Sequence, residues 1–261
     1  MSKLRIYAAM GIASSMALAL PAVAADWIPE PPVIEYPEPE PIYGGWYLRG
    51  HIGASNQRLG SLWHPLHDVN GNFEWLDKGG FDSAPIFGGG IGYQVNDYLR
   101  LDGIVEYRGK ASFSAMDRYH APGDPTDWQG SNDYDAKKSE LLLMANAYAD
   151  LGDFHGITPY IGAGLGVSRN TISHFRDINV PNNSVYHAGS ESTWQLAWAL
   201  HAGVGIKATD RMTIDLGYSY VNLGDAKTKE AVAYDGSTIE AFRFKDIASH
   251  DFKLGVRYSL Y

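Results

Sequence analysis

From Gly45 to its last residue the chain alternates apolar and polar side chains with a period of two, in runs broken by turn residues. Only β-strands place successive residues on opposite faces, so the pattern demands strands with one dry side and one wet side. The first run sets Trp46, Leu48, Ile52 and Ala54 against Tyr47, Arg49, His51 and Gly53. The third sets Leu99, Leu101, Val105 and Tyr107 against Arg100, Asp102, Glu106 and Arg108. The sixth opposes Trp194, Leu196, Trp198, Leu200, Val204 and Ile206 to Gln195, His201 and Lys207. The seventh opposes Met212, Ile214, Leu216, Tyr218 and Tyr220 to Thr213, Asp215 and Ser219. The eighth opposes Phe252, Leu254, Val256, Tyr258 and Leu260 to Asp251, Lys253 and Arg257. Runs near 84–95, 139–150 and 158–170 alternate less cleanly, and the apolar stretch Leu141 to Met144 leaves the second of these ambiguous by period alone.

Eight such runs predict an all-β fold, an eight-stranded antiparallel barrel. Two barrels fit alternation: a soluble lipocalin-like cup, or a transmembrane barrel with the faces reversed. Connection lengths favour the membrane. They are long at 56–83, 109–138, 171–192 and 224–246 but short at 96–97, 151–157 and 208–211, matching long extracellular loops and short periplasmic turns. Trp46, Tyr93, Tyr107, Trp194, Tyr218 and Tyr258 sit near the ends of the apolar face, where interfacial aromatic girdles belong. The polar face carries balanced opposite charges, unlike the lining of a lipid-carrying cup.

The N-terminus sets the compartment. Lys3 and Arg5 precede an apolar stretch from Ile6 to Leu20, Pro21 breaks it, and Ala22-Val23-Ala24 supplies a cleavage site. The stretch is short for a spanning helix, which needs about 20 apolar residues. Residues 1–24 therefore read as a signal peptide. Residues 25–44 carry prolines at 29, 31, 32, 37, 39 and 41 and acids without bases, the composition of a stiff, solvated periplasmic tail. Residues 45–261 form the barrel, and its even strand number leaves both ends in the periplasm.

No cysteine occurs, so disulfides, thiolate metal sites and lipid-modified cysteine are excluded. The mean hydropathy of -0.24 excludes a helical membrane protein, though not a barrel. Loss of Lys3 and Arg5 takes the formal charge from -9 to about -11, a poor balance for binding nucleic acid.

The interior of an eight-stranded barrel is only just wide enough for side chains. The inward set predicted by parity holds the bases Arg49, Arg100, Arg108, Lys207, Lys253 and Arg257 and the acids Asp102, Glu106, Glu140, Asp215 and Asp251. Unpaired charges there are prohibitive, so a structural lumen network of ion pairs is expected. Its core members are Arg49, Arg100, Asp102, Glu106, Arg108, Asp215, Asp251, Lys253 and Arg257. Glycines 88, 90 and 92 and glycines 162, 164 and 166 read as room for long charged side chains opposite. No helix follows them, which argues against a phosphate-binding loop.

Little in the loops points to chemistry. His64 and His67 beside Asp68 have a spacing that a divalent metal tolerates and chance often supplies. Asn70-Gly71 reads as a hairpin tip. Asp117, Asp124, Asp127, Asp133 and Asp135 read as solvated charge. Ser249, His250 and Asp251 are consecutive, so their side chains alternate faces and cannot converge as a triad. His201 reads as a satisfied core histidine. No cofactor, metal or catalytic residue is expected.

Tyr148-Ala-Asp-Leu-Gly, Thr158-Pro-Tyr-Ile-Gly-Ala-Gly-Leu-Gly-Val, Leu216-Gly-Tyr-Ser-Tyr-Val-Asn-Leu-Gly-Asp and His250-Asp-Phe-Lys-Leu-Gly-Val-Arg-Tyr resemble a family. They look like the opacity-like surface-antigen barrels of rhizobia and related alphaproteobacteria, grouped with OmpA-type barrels. The likeness covers roughly residues 45–261 and implies surface exposure, with roles in envelope integrity or host contact and no catalysis. It implies as partners outer-membrane lipid and lipopolysaccharide, periplasmic chaperones and the barrel-assembly machinery, and a host-surface ligand. Such barrels usually end on an aromatic in phase with the lipid face; here Tyr261 falls one residue out of phase. A structural or surface-interaction barrel is the preferred function, with a narrow pore next and an outer-membrane lipid-modifying enzyme last.

Overall fold

The computed structural model describes residues 45–64 and 72–260. The segments 1–24 and 25–44, together with His67, Asp68, Asn70, Gly71 and Tyr261, lie outside the described residues. Alternation is realised as thirteen strands in one sheet. They are β1 (Gly45–Arg58), β2 (Ser61–Trp63), β3 (Phe73–Phe81), β4 (Ala84–Asn96), β5 (Leu99–His120), β6 (Trp128–Asp150) and β7 (Ile157–Asn179). After them come β8 (Ser184–Ala188), β9 (Glu191–Lys207), β10 (Met212–Lys227), β11 (Ala231–Val232), β12 (Thr238–Ile239) and β13 (Arg243–Ser259).

Eight of these close a ring in the order β1-β4-β5-β6-β7-β9-β10-β13, every pair antiparallel. The seam between β1 and β13 runs from Tyr47 opposite Ser259 to Arg58 opposite Ala248. Closure leaves the ring no unpaired edge, which strands must avoid in lipid. The outward face is apolar, with Leu48, Ile52, Leu101, Val105, Leu165, Leu196, Leu254 and Val256 exposed, as are the aromatics expected in the girdles. Leu141 to Met144 resolves by parity: Leu142 and Met144 are buried inside, and Leu143 faces out.

The predicted long connections are mostly not loops. β5 and β6 run on to His120 and from Trp128, leaving a short turn where 109–138 was expected to be open, and β7 runs on to Asn179. β3 pairs with β5, β2 with β13, β8 with β7, and β11 with both β8 and β12, so the raised strands carry their own sheet.

Sequence parity hides this extension because four strands switch faces as they leave the apolar belt. In β5 the inward residues are Arg100, Asp102, Ile104, Glu106 and Arg108. After an irregularity between Arg108 and Ala111 they become Ala111, Phe113, Ala115 and Asp117. β7 switches at His174, which has φ 55°, from Ser168, Asn170 and Ile172 to Phe175. β10 switches at Gly224, φ 69°, and β13 at Asp246, φ 55°. A bulge inserts one residue and swaps the faces of everything beyond it. The swap suits the medium. Beside lipid the apolar residues face out; beyond it the outside is water, and they face in.

The inverted stretches build a core of their own. Phe113 lies edge-on to Phe244 at 5.0 Å, Phe81 packs against both, and Phe175 and Phe242 meet at 4.7 Å. Leu62, Ile172, Val221 and Leu223 fill around them, buried. Burying each large apolar side chain contributes about 1.5–3 kcal/mol, with up to about 1.5 more for a good aromatic pair.

Candidate functional site

The lumen is layered. At the short-turn end, Arg100 donates Nε and Nη2 to Asp150 at 2.8–3.0 Å, with its guanidinium over the Tyr148 and Tyr160 rings. Arg257 makes a two-pronged contact with Asp215 at 2.7 and 3.0 Å. Arg49 reaches Asp102 at 2.6 Å and the Tyr148 hydroxyl at 2.9 Å.

Above these, Glu106 accepts from Lys253 at 2.6 Å and from Arg108, and meets the His51 ring at 2.8 Å. Arg108 continues to Asp251 at 2.6 Å and to Ser249. His201 lies between Ser219 at 2.8 Å and Asn146 at 3.0 Å, both ring nitrogens engaged. Lys138 pairs with Glu140, and Gln57 bonds to both.

The nine residues named from sequence are therefore brought into one lumen, with Arg100 taking its partner from outside the set. Asp150 was missed because it ends a strand beside a turn and reads as turn chemistry. Lys207 does not belong: it stands exposed at the rim, 3.3 Å from Asp210. The glycines are also corrected. A Cβ on Gly92 would strike the Tyr47 ring, one on Gly162 the Tyr148 ring, one on Gly88 His51, and one on Gly164 Asn146 and Met144, while Gly90 and Gly166 lie against backbone and against Ile104 and Met144, so none of them makes room for a long charged chain. Ser249 and Asp251 point inward, while His250 bonds the Tyr218 hydroxyl at 2.7 Å on the exposed side. The space left around Arg49, His51, Asp215 and Lys253 is about 20 Å³, room for a single water.

The aromatic core caps this lumen, and above it lies a cup of about 470 Å³. β5, β6 and β7 position its polar wall. Asp117, Asn132 and Asn179 stand in one cross-strand row, and Tyr134 opposes Asp177 in the row beneath. Asn132 and the Tyr134 hydroxyl donate to Asp117 at 2.9 and 2.8 Å, and Asn179 donates to Asn132 and to Tyr119, each at 2.9 Å. His64, stacked on Phe242 at 4.2 Å, adds an apolar side. Asp117 was expected in solvent and is buried, because the bulge in β5 turns it inward. Asp177 was not anticipated. Burial, reinforced by the charge of Asp117, pushes its carboxyl up to about 7. The spacing Asp177-Ile-Asn179 carries the signal, once the face switch at His174 is known.

Among the described residues no cluster of three or more His, Asp or Glu is arranged to hold a metal.

A family model described as outer membrane protein beta-barrel domain matches residues 8–259. An uncharacterized protein of Brucella suis biovar 1 is 33% identical over 225 residues, 78% of each chain. The outer membrane protein PagN of Salmonella typhimurium is 29% identical, covering 82% of this chain and 90% of its own. A Rickettsia prowazekii protein with the provisional name of adhesin is 24% identical, covering 66% of this chain and 72% of its own. With its closed eight-strand ring and apolar outer belt, the chain belongs to the outer membrane protein β-barrel domain family and is an outer-membrane β-barrel.

Proposed function

We propose that this barrel is a sealed, non-catalytic surface protein that acts through the strands it raises beyond the membrane. The ion-paired lumen beneath an aromatic cap, with about 20 Å³ of space around Arg49, His51, Asp215 and Lys253, carries that reading. A channel would need Arg49, Arg108 and Arg257 to leave their carboxylates in a narrow interior, where unpaired charge is costly. The raised sheet is large and has its own buried core, more than a simple anchor needs, which supports contact with a host or other surface. The provisional adhesin name of the Rickettsia prowazekii relative points the same way.

Lys110, Lys137 and Arg169 stand exposed on the outer walls of three adjacent strands, β5, β6 and β7; Arg169 is two residues beyond the lipid-facing Val167, Lys110 three beyond Tyr107, and Lys137 is further up. That placement supports lipopolysaccharide phosphates as a partner. Residues 1–24 serve as the signal peptide and 25–44 as the periplasmic tail in this scheme, with chaperones and the assembly machinery as partners during biogenesis. Planar-bilayer recording of the refolded protein tests the sealed barrel: silence is expected, and steady openings would overturn it.

A further inference from the structure

The cup at the long-strand end has the attributes of a small-molecule site, a class of ligand that surface contact does not require. Its volume of about 470 Å³ lies within the range of such pockets, about 300–1,000 Å³. Its rim residues Pro122 and Asn182 are exposed, so a solute has access from outside, and the aromatic core floors it. Among the described residues no lysine or arginine lines it.

Two carboxylates face into the cup, and their chemistry differs. Asp117 is held by donors from Asn132 and Tyr134. Asp177 lies on the same wall, and its carboxylate takes part in no hydrogen bond or ion pair among the described residues. The rings of Tyr134 and Phe242, 5.5 Å apart, stand beside them. Ionised carboxylates with aromatic faces in a partly dry concavity favour a cation, because the ring quadrupole and the anions both attract it.

We propose that this cup binds a small organic cation, an ammonium group on a compact, partly apolar molecule, held by Asp177 against the Tyr134 and Phe242 rings. The inference goes beyond surface contact and does not depend on the lumen being sealed, since the cup lies above the cap. Ligand and proton compete for Asp177, so binding weakens as pH falls. The titratable groups that share the cup with it are Asp117, Tyr119, Tyr134, Tyr186, His64 and His120.

The test uses the refolded full chain in detergent micelles and three probes of one shape and different charge: benzylammonium, benzyl alcohol and benzoate. Calorimetry should show benzylammonium binding above the other two, with affinity about tenfold or more lower at pH 5.5 than at pH 8.5. Asp177→Asn should weaken it about ten- to a hundredfold and remove most of the pH dependence. Asp124→Asn, at an exposed turn, should change nothing. Among the described residues Asp177 has no bonded partner, so its variant is expected to fold, checked by circular dichroism. Benzyl alcohol binding as well as benzylammonium overturns the proposal. So does a methyl glycoside that alone binds, which would make the cup a sugar site, or an unaltered affinity in Asp177→Asn. Bilayer conductance fails or succeeds independently of all three.

Discussion

Arg108 and Asp251 meet at 2.6 Å with neither side chain touching solvent, and Glu106 holds the same guanidinium from the other side. Removing one member of a buried ion pair leaves its partner uncompensated and typically costs about 3–5 kcal/mol. Arg108→Met takes a partner from both Glu106, which keeps Lys253 at 2.6 Å, and Asp251, which keeps Lys253 only at 3.6 Å, so its cost should fall within that range. Asp251→Asn leaves Arg108 with Glu106 and should cost less. Arg118 and Glu74 form an exposed pair at 2.6 Å on the raised sheet, where breaking a pair costs about 0–1 kcal/mol. Urea midpoints in lipid bilayers should separate Arg108→Met from Arg118→Gln clearly; equal, small losses would mean a hydrated lumen.

Phe113 and Phe244 lock the cap from opposite sides of the chain, and each is almost wholly buried. Truncating a buried phenylalanine costs about 3–5 kcal/mol. Phe113→Ala or Phe244→Ala should therefore loosen the raised sheet and expose it to protease while the membrane ring stays intact. Conductance should remain absent in both, because the ion-paired layer beneath is a second seal. If either variant opened a steady channel, the cap alone would close the barrel.

The membrane ring was legible because lipid enforces one rule along its whole height: apolar out, polar in. Leu101 and Asp102 follow it, although Ile104, Leu142 and Met144 fill part of the interior. Beyond the membrane the rule inverts, and the inversion falls at His174, Gly224, Asp246 and the residues between Arg108 and Ala111. A period of two read straight through a bulge puts Phe113 outside and Asp117 in solvent. Ion-pair partners stayed illegible for a different reason. Parity says that Arg100 points inward, but only the shear of the barrel decides that Asp150, and not Asp102, reaches it.

Asp177 makes stability depend on pH. Its carboxyl is lifted from 3.8 to about 7 by burial and by the charge of Asp117, so between those values the folded chain keeps a proton that the unfolded chain has released. The folded state gains from this below about pH 4, and the gain is lost as pH rises toward 7. Asp177→Asn cannot ionise. Relative to the parent it should be stabilised at pH 8 and little changed near pH 4. Denaturation of the raised sheet, followed by hydrogen exchange at β6 and β7 between pH 4 and 8, checks the sign. A parent chain more stable at pH 8 than at pH 5 in this region would contradict it.

The two ends of the ring differ in a way that predicts an orientation. At one end the links are the turns after Asn96, Asp150 and Lys207; at the other, β5, β6 and β7 stand well clear of the apolar belt. A folded sheet of that size is not expected in the periplasm, given how such barrels place long and short connections. Single cysteines can test this without background, since the chain has none of its own. Asp124 and Asp235 are exposed at turns of the raised end, and Asn183 lies in the turn between β7 and β8. Cysteines there should react with an impermeant thiol reagent on intact cells. Asp97 and Thr209 are exposed at the short turns, so cysteines at those positions should react only after the outer membrane is broken. Exposure is similar in both groups, so a difference in labelling reports the side of the membrane and not burial. Labelling of Asp97→Cys or Thr209→Cys on intact cells would invert the protein and place both cup and cap on the periplasmic side.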